Sequence, residues 1–203
     1  MAEFMQKFIA ATLVFLLVIS TLAVPAGPVP RKAPELSFFD ASGKAISLSS
    51  FKGKVVALEF FFIRSMHCVR VAQTLNKLND ELGPRGFQAV AVAFSAPHSE
   101  ADAATVDIFV QSSRLAFPVG YTGKQEVDRF LSRGQGDVLN IPQVVIIDRA
   151  GNIRAQSGNR PGDPSLEDAD SLRTRLDALL KEPVPPTTPA KPARPKADRR
   201  KLR

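Results

Sequence analysis

Residues 55–82 of the chain read VVALEFFFIRSMHCVRVAQTLNKLNDEL. The first eight are apolar except Glu59 and show no polar alternation. Such a run predicts a central strand buried on both faces, in a sheet covered by helices. After a short turn, apolar residues recur at Cys68, Val71, Leu75, Leu78 and Leu82. Spacings of three and four put them on one stripe of an amphipathic helix. Ser65 stands where an N-cap belongs, and Gly83-Pro84 with Gly86 ends the pattern. Cys68, the only cysteine, lies where turn becomes helix. A thiol at a helix N-terminus is placed where the dipole and free N–H groups favour the thiolate.

Working outward, residues 87–94 (FQAVAVAF) predict a second buried strand. Residues 99–112 predict a helix, 116–119 a short strand, and 124–131 another helix. Residues 141–147 (IPQVVII) predict a strand, turned at 148–152 (DRAGN) into a partner at 153–156. A last helix follows, with Ser165 as its expected cap and Asp168 at the capping-box position. On the N-terminal side, residues 35–39 and 45–48 flank a turn and predict a hairpin. The expected architecture is α/β, with a central mixed sheet, parallel inner strands, helices on both faces and an N-terminal β-hairpin.

The two ends differ from this middle. Residues 1–26 contain a charge-free apolar run, 8–24, after a weakly charged start, with small residues at Val24-Pro25-Ala26. They are expected to be an export signal or an N-terminal membrane anchor. Residues 27–34 form a proline-rich spacer, 35–181 the folded domain, and 182–203 a disordered Pro/Lys/Arg tail. The tail holds seven Lys/Arg against Glu182 and Asp198, a net +5 of the chain's +7. The domain therefore carries no strong charge signature for nucleic acid. The leader and the basic tail are candidates for contact with a membrane surface. A single cysteine in an exported chain forms no internal disulfide and leaves one thiol with only external partners.

The strand-turn-helix and the later Ile-Pro strand resemble the thioredoxin superfamily, in its exported TlpA/ResA-type and AhpC/TSA-redoxin branch. The lead-in Ala33-Pro34-Glu35-Leu36-Ser37-Phe38-Phe39-Asp40, then Gly43, Leu48, Phe51 and Gly53-Lys54-Val55-Val56, is similar to that branch's. Its N-F-W-A-T-W-C-x-x-C motif aligns without gaps to residues 59–68, and its G-[IV]-P-x-x-[FV]-x-I-D-x-x-G motif to residues 140–151. The resemblance implies a thioredoxin-like fold outside the cytoplasm, no cofactor, and exported protein thiols or disulfides as partners. It also implies a cis peptide at Pro142, a peptide groove lined by Met66, His67 and Ile141, and Glu59 as the buried acid that assists proton transfer at the second cysteine. The chain departs from the family at one decisive place: the attacking cysteine is Ser65, and only the resolving position, Cys68, keeps its sulfur. A serine hydroxyl does not attack a disulfide without a dedicated base, so the dithiol cycle is not available.

Each candidate has a plainer reading beside it. Cys68 is either a thiol activated by His67 and the helix end, or a small buried hydrophobe of the stripe. Glu59 is either a proton acceptor with a raised pKa, or an acid that reaches Lys54 or a strand edge. Ser65 is a cap, a relic of the lost cysteine, or both. Cys68, His67 and His98 make a thin ligand set for a soft metal. Three functions stay open: an oxidoreductase relative keeping one thiol, a redox-inactive binding module, and a Cys/His metal carrier.

Overall fold

The computed structural model describes residues 29–96, 99–134, 137–158 and 166–184. The leader, His98, Ser165 and most of the tail lie outside these residues. Eight strands form one sheet: β1 (Arg31–Lys32), β2 (Ser37–Asp40), β3 (Ala45–Ser47), β4 (Val55–Phe61), β5 (Phe87–Phe94), β6 (Val119–Thr122), β7 (Gln143–Ile147) and β8 (Asn152–Gln156). Their order across the sheet is β1-β8-β7-β4-β5-β6-β2-β3. Strands β4, β5 and β6 run parallel, and the remaining pairings are antiparallel. Four helices accompany them: α1 (Met66–Leu82), α2 (Ala103–Ser113), α3 (Lys124–Phe130) and α4 (Ala169–Lys181).

All seven residues of β4 are buried, as the unbroken apolar run predicts. Alternation along β4 separates two cores. Val55, Ala57 and Phe61 join the stripe of α1, together with Val106 and Phe109 of α2 and Leu172, Leu176, Leu179 and Leu180 of α4. Val56, Leu58 and Phe60 face the other way, toward Leu36, Phe38 and Leu48 of the N-terminal hairpin region and Val127 and Phe130 of α3. Phe61 stacks at 4.7 Å on Phe109, and Phe60 meets Phe130 edge-on at 5.4 Å. Each such side chain contributes about 1.5–3 kcal/mol through burial, so both faces of β4 are anchored.

Several boundaries move from their expected places. Helix α2 starts at Ala103, because Asp102 and Thr105 form a capping box and Ser99 is held in a tight turn with Ala96. Strand β6 starts at Val119: the preceding Pro118 offers no N–H, and its carbonyl instead accepts from Ala91. For the same reason β7 starts after Pro142. Asp168 itself caps α4, its carboxylate accepting the Ser171 N–H at 2.9 Å, so it is not the third residue of a box begun at Ser165. Arg31 and Lys32 pair with Ile153 and Asn152, which fastens the spacer to the sheet edge. Arg31 also donates to the carbonyl of Phe130 and to Gln156, and Arg149 donates to the carbonyls of Leu179, Leu180, Glu182 and Arg85.

Candidate functional site

The site forms where β4 ends and α1 begins. Ser65 is the N-cap of α1, its hydroxyl accepting the Cys68 N–H at 3.4 Å. The cap orients the first turn so that Met66 and His67 face out and Cys68 faces in. Met66 is 68% exposed, whereas Cys68 is 0% exposed, within the same core as β4 and α1. Phe60 pairs with Gln143 across β4 and β7, so the next step of the register brings Pro142 beside Phe61, at the foot of α1. The Ile141–Pro142 peptide is cis, as the resemblance implies, and Ile141 packs partly buried against the core that holds Cys68.

Burial pushes the Cys68 thiol above its ordinary value. Contacts with the Ser65 side chain and the Phe62 backbone pull the other way, and Glu59, once ionised, would add to the rise. His67 is not among the groups that move the thiol. Its Nε2 lies 2.8 Å from Glu167 Oε2, so the ring is turned to that carboxylate. A buried thiol with a raised pKa is mostly unionised at neutral pH, and the thiol is a poor nucleophile.

Glu59 sits in the middle of β4, opposite Ala91 of β5 and Val144 of β7. The alternation of β4 aims it at the face occupied by Cys68 and α1. It is 0% exposed, and neither carboxylate oxygen has a hydrogen-bond partner. Burial raises its pKa well above the carboxylate range, and the nearby charge of Glu167 raises it further. The Lys54 reading fails, because Lys54 Nζ is engaged by Gln88 at 2.9 Å and β4 is a central strand. The alanines of β5 on this face, Ala89, Ala91 and Ala93, leave the acid no polar neighbour there.

Glu167 is the site residue that sequence reasoning missed. It stands between buried Leu166 and the cap of α4, and its bond to His67 joins the starts of α1 and α4. Nothing local in the sequence marks it, since its partner lies far away in the chain. Among the described residues no three His, Cys, Asp or Glu side chains group to hold a metal ion, and no helix is long and apolar enough to cross a membrane.

These features define a class: a thioredoxin-like fold with one buried sulfur, Cys68, and one hydroxyl, Ser65, at the turn between β4 and α1. A profile of the AhpC/TSA family matches residues 29–156. The chain belongs to the AhpC/TSA family. It is 28% identical over 125 residues to the thiol-disulfide oxidoreductase ResA of Bacillus thuringiensis subsp. konkukian, an alignment covering 62% of this chain and 66% of that protein, just under two thirds. The solved structure of a candidate thiol:disulfide interchange protein DsbE from Chlorobium tepidum is similar at 26% identity and a TM-score of 0.60, covering 74% of this chain and 96% of that one. A hypothetical protein from Sinorhizobium meliloti shares the fold at 20% identity and a TM-score of 0.62, over 79% of this chain and 89% of its own.

Proposed function

We propose that this chain is an exported relative of the ResA-type thiol-disulfide oxidoreductases that engages protein thiols or disulfides at the groove around Ser65, Met66, His67, Ile141 and Pro142, without a dithiol cycle of its own. The observation that carries the reading is the position of its one sulfur. Cys68 is fully buried with a raised pKa, behind an outer position that holds Ser65. Attack on a disulfide needs an accessible thiolate, and this chain has none to offer. What stays on the surface is the docking part of the site, with exposed Met66 and half-exposed His67 at its lip. The apolar leader supports a location outside the cytoplasm.

The test is thiol labelling of the full chain with a maleimide, in native buffer and in urea. Cys68 is expected to stay unlabelled until the protein unfolds, and the wild type is expected not to speed insulin reduction by dithiothreitol. A Ser65→Cys variant is expected to gain that activity, because the inner thiol and Glu59 then have an attacking partner. Rapid native labelling with an apparent pKa below that of free cysteine would overturn the reading. It would favour the second one, a monothiol oxidoreductase working through Cys68. The observation on that side is Glu59, an unpartnered buried acid on the same face as the thiol.

A further inference from the structure

We propose that the basic tail is a membrane tether, which binds the anionic headgroups of a lipid bilayer at the same edge of the domain where the leader enters. The folded domain fastens its two ends side by side. Arg31 and Lys32 pair with Ile153 and Asn152 at the start of β8. The next residue of that strand, Arg154, holds the Glu182 carboxylate through two bonds of 2.9 and 3.0 Å, and Arg149 donates to the Glu182 carbonyl at 3.0 Å. Leader side and tail side are thus tied to neighbouring residues of one strand. Val29 and Val184, each two residues outside its fastening, are both exposed.

Chain length then sets what can reach the bilayer. Six residues, 25–30, separate the apolar run from Arg31. Fully extended they span about 20–25 Å, so a leader seated in a bilayer would keep the start of β8 close to the headgroups. Eight residues, 183–190, separate Glu182 from Lys191, the first cation of the tail, and span about 30 Å at most. The cations therefore begin within reach of the same surface. Beyond Glu182 the tail carries seven Lys/Arg against Asp198 alone, because Glu182 is already taken by Arg154. A polybasic segment of this density beside a bilayer is drawn to anionic headgroups and released as salt rises.

The rest of the chain does not compete for the tail by charge. It is itself at a net +2, the remainder of +7 after the +5 of residues 182–203. The fastening also leaves the candidate site free. Ile153 lies across from Ile147, and Ile147 from Val56, at the end of β4 remote from Ser65. A tether at that end keeps Met66 and His67 at the opposite end of the sheet from the bilayer.

The experiment adds the full chain to preformed vesicles of phosphatidylcholine, alone or with about 30% phosphatidylglycerol, and follows tryptic cleavage of the tail by intact mass. Lys191 and Arg194 precede prolines and resist trypsin, whereas Lys196, Arg199, Arg200 and Lys201 are open to it. Rates are corrected with a soluble trypsin substrate in the same vesicles. Cleavage is expected to be at least about tenfold slower on the anionic vesicles at low salt, and equal on both in about 0.5 M NaCl. A Lys191→Ser/Arg194→Ser/Arg203→Ser variant keeps every cleavable site and is expected to lose most of the protection. Equal rates on the two vesicles at low salt overturn the inference, whether fast, with the tail free, or slow, with the tail held by the protein itself. So does a triple variant protected as fully as the wild type.

Discussion

Replacing Glu59 by leucine is expected to stabilise the protein, and to do so more strongly as pH rises. Glu59 is 0% exposed and both its oxygens lack a partner, so it remains protonated in the folded state above its ordinary range. In the unfolded chain it ionises near the ordinary glutamate value of 4.5. Below that pH both states are protonated and the group exerts no pH-dependent effect. Above it the unfolded state releases a proton that the folded state keeps, so stability falls with pH until the folded pKa is reached. Each pH unit in this window costs about 1.4 kcal/mol. An unpaired buried polar group adds about 1–3 kcal/mol whatever the pH. Glu59→Leu is therefore expected to gain the roughly 1–3 kcal/mol of the unpaired group plus about 1.4 kcal/mol for each pH unit between 4.5 and the folded pKa, a shift of several degrees in Tm. Urea melts of wild type, Glu59→Leu and Glu59→Gln between pH 4 and 8 measure the effect. The two substitutions separate loss of the titrating group from loss of the unpaired oxygens. A leucine variant less stable than wild type, or a difference that does not change with pH, would refute the reasoning and mean that the acid is ionised and compensated.

Other substitutions follow from single contacts. Arg149→Ala removes the guanidinium that joins the end of α4 to the turn after α1, and should cost about 2 kcal/mol by thermal melt. Ser65→Ala removes the cap of α1; with a bond of 3.4 Å the loss should be near 0.5–1 kcal/mol, whereas Ser65→Thr should lose less. His67→Ala removes an exposed contact with Glu167 and should change stability by less than about 1 kcal/mol in the same assay.

The strand-turn-helix was legible because its signals are local. The unbroken run of β4 and the three-four spacing of α1 each report burial directly, and every stripe residue is buried. The inward position of Cys68 was also legible from that stripe. The state of its thiol was not, because the helix end and a neighbouring histidine argued for activation while burial and the pairing of His67 with Glu167 decide against it. Glu167 could not be found, since the contact depends on how the start of α4 settles beside α1. Helix starts were misplaced for a related reason. Ser165 and Asp168 are both good caps by type, and only the bond to Ser171 shows which is used. The pairing of Arg31–Lys32 with β8 had no pattern to announce it in two residues.

The alanines of β5 have a consequence for how this protein can vary. Ala91 lies in register with Glu59, and Ala89 and Ala93 flank it beneath α1. All three are fully buried, so a valine or leucine at Ala91 would add volume to a closed core next to Glu59 and force a neighbour to shift. Cys68 and these alanines belong to one core, so its packing depends in part on small residues of a neighbouring strand. Sequence drift at these three small residues would therefore be felt by the buried thiol as well as by the acid, although neither lies on their strand.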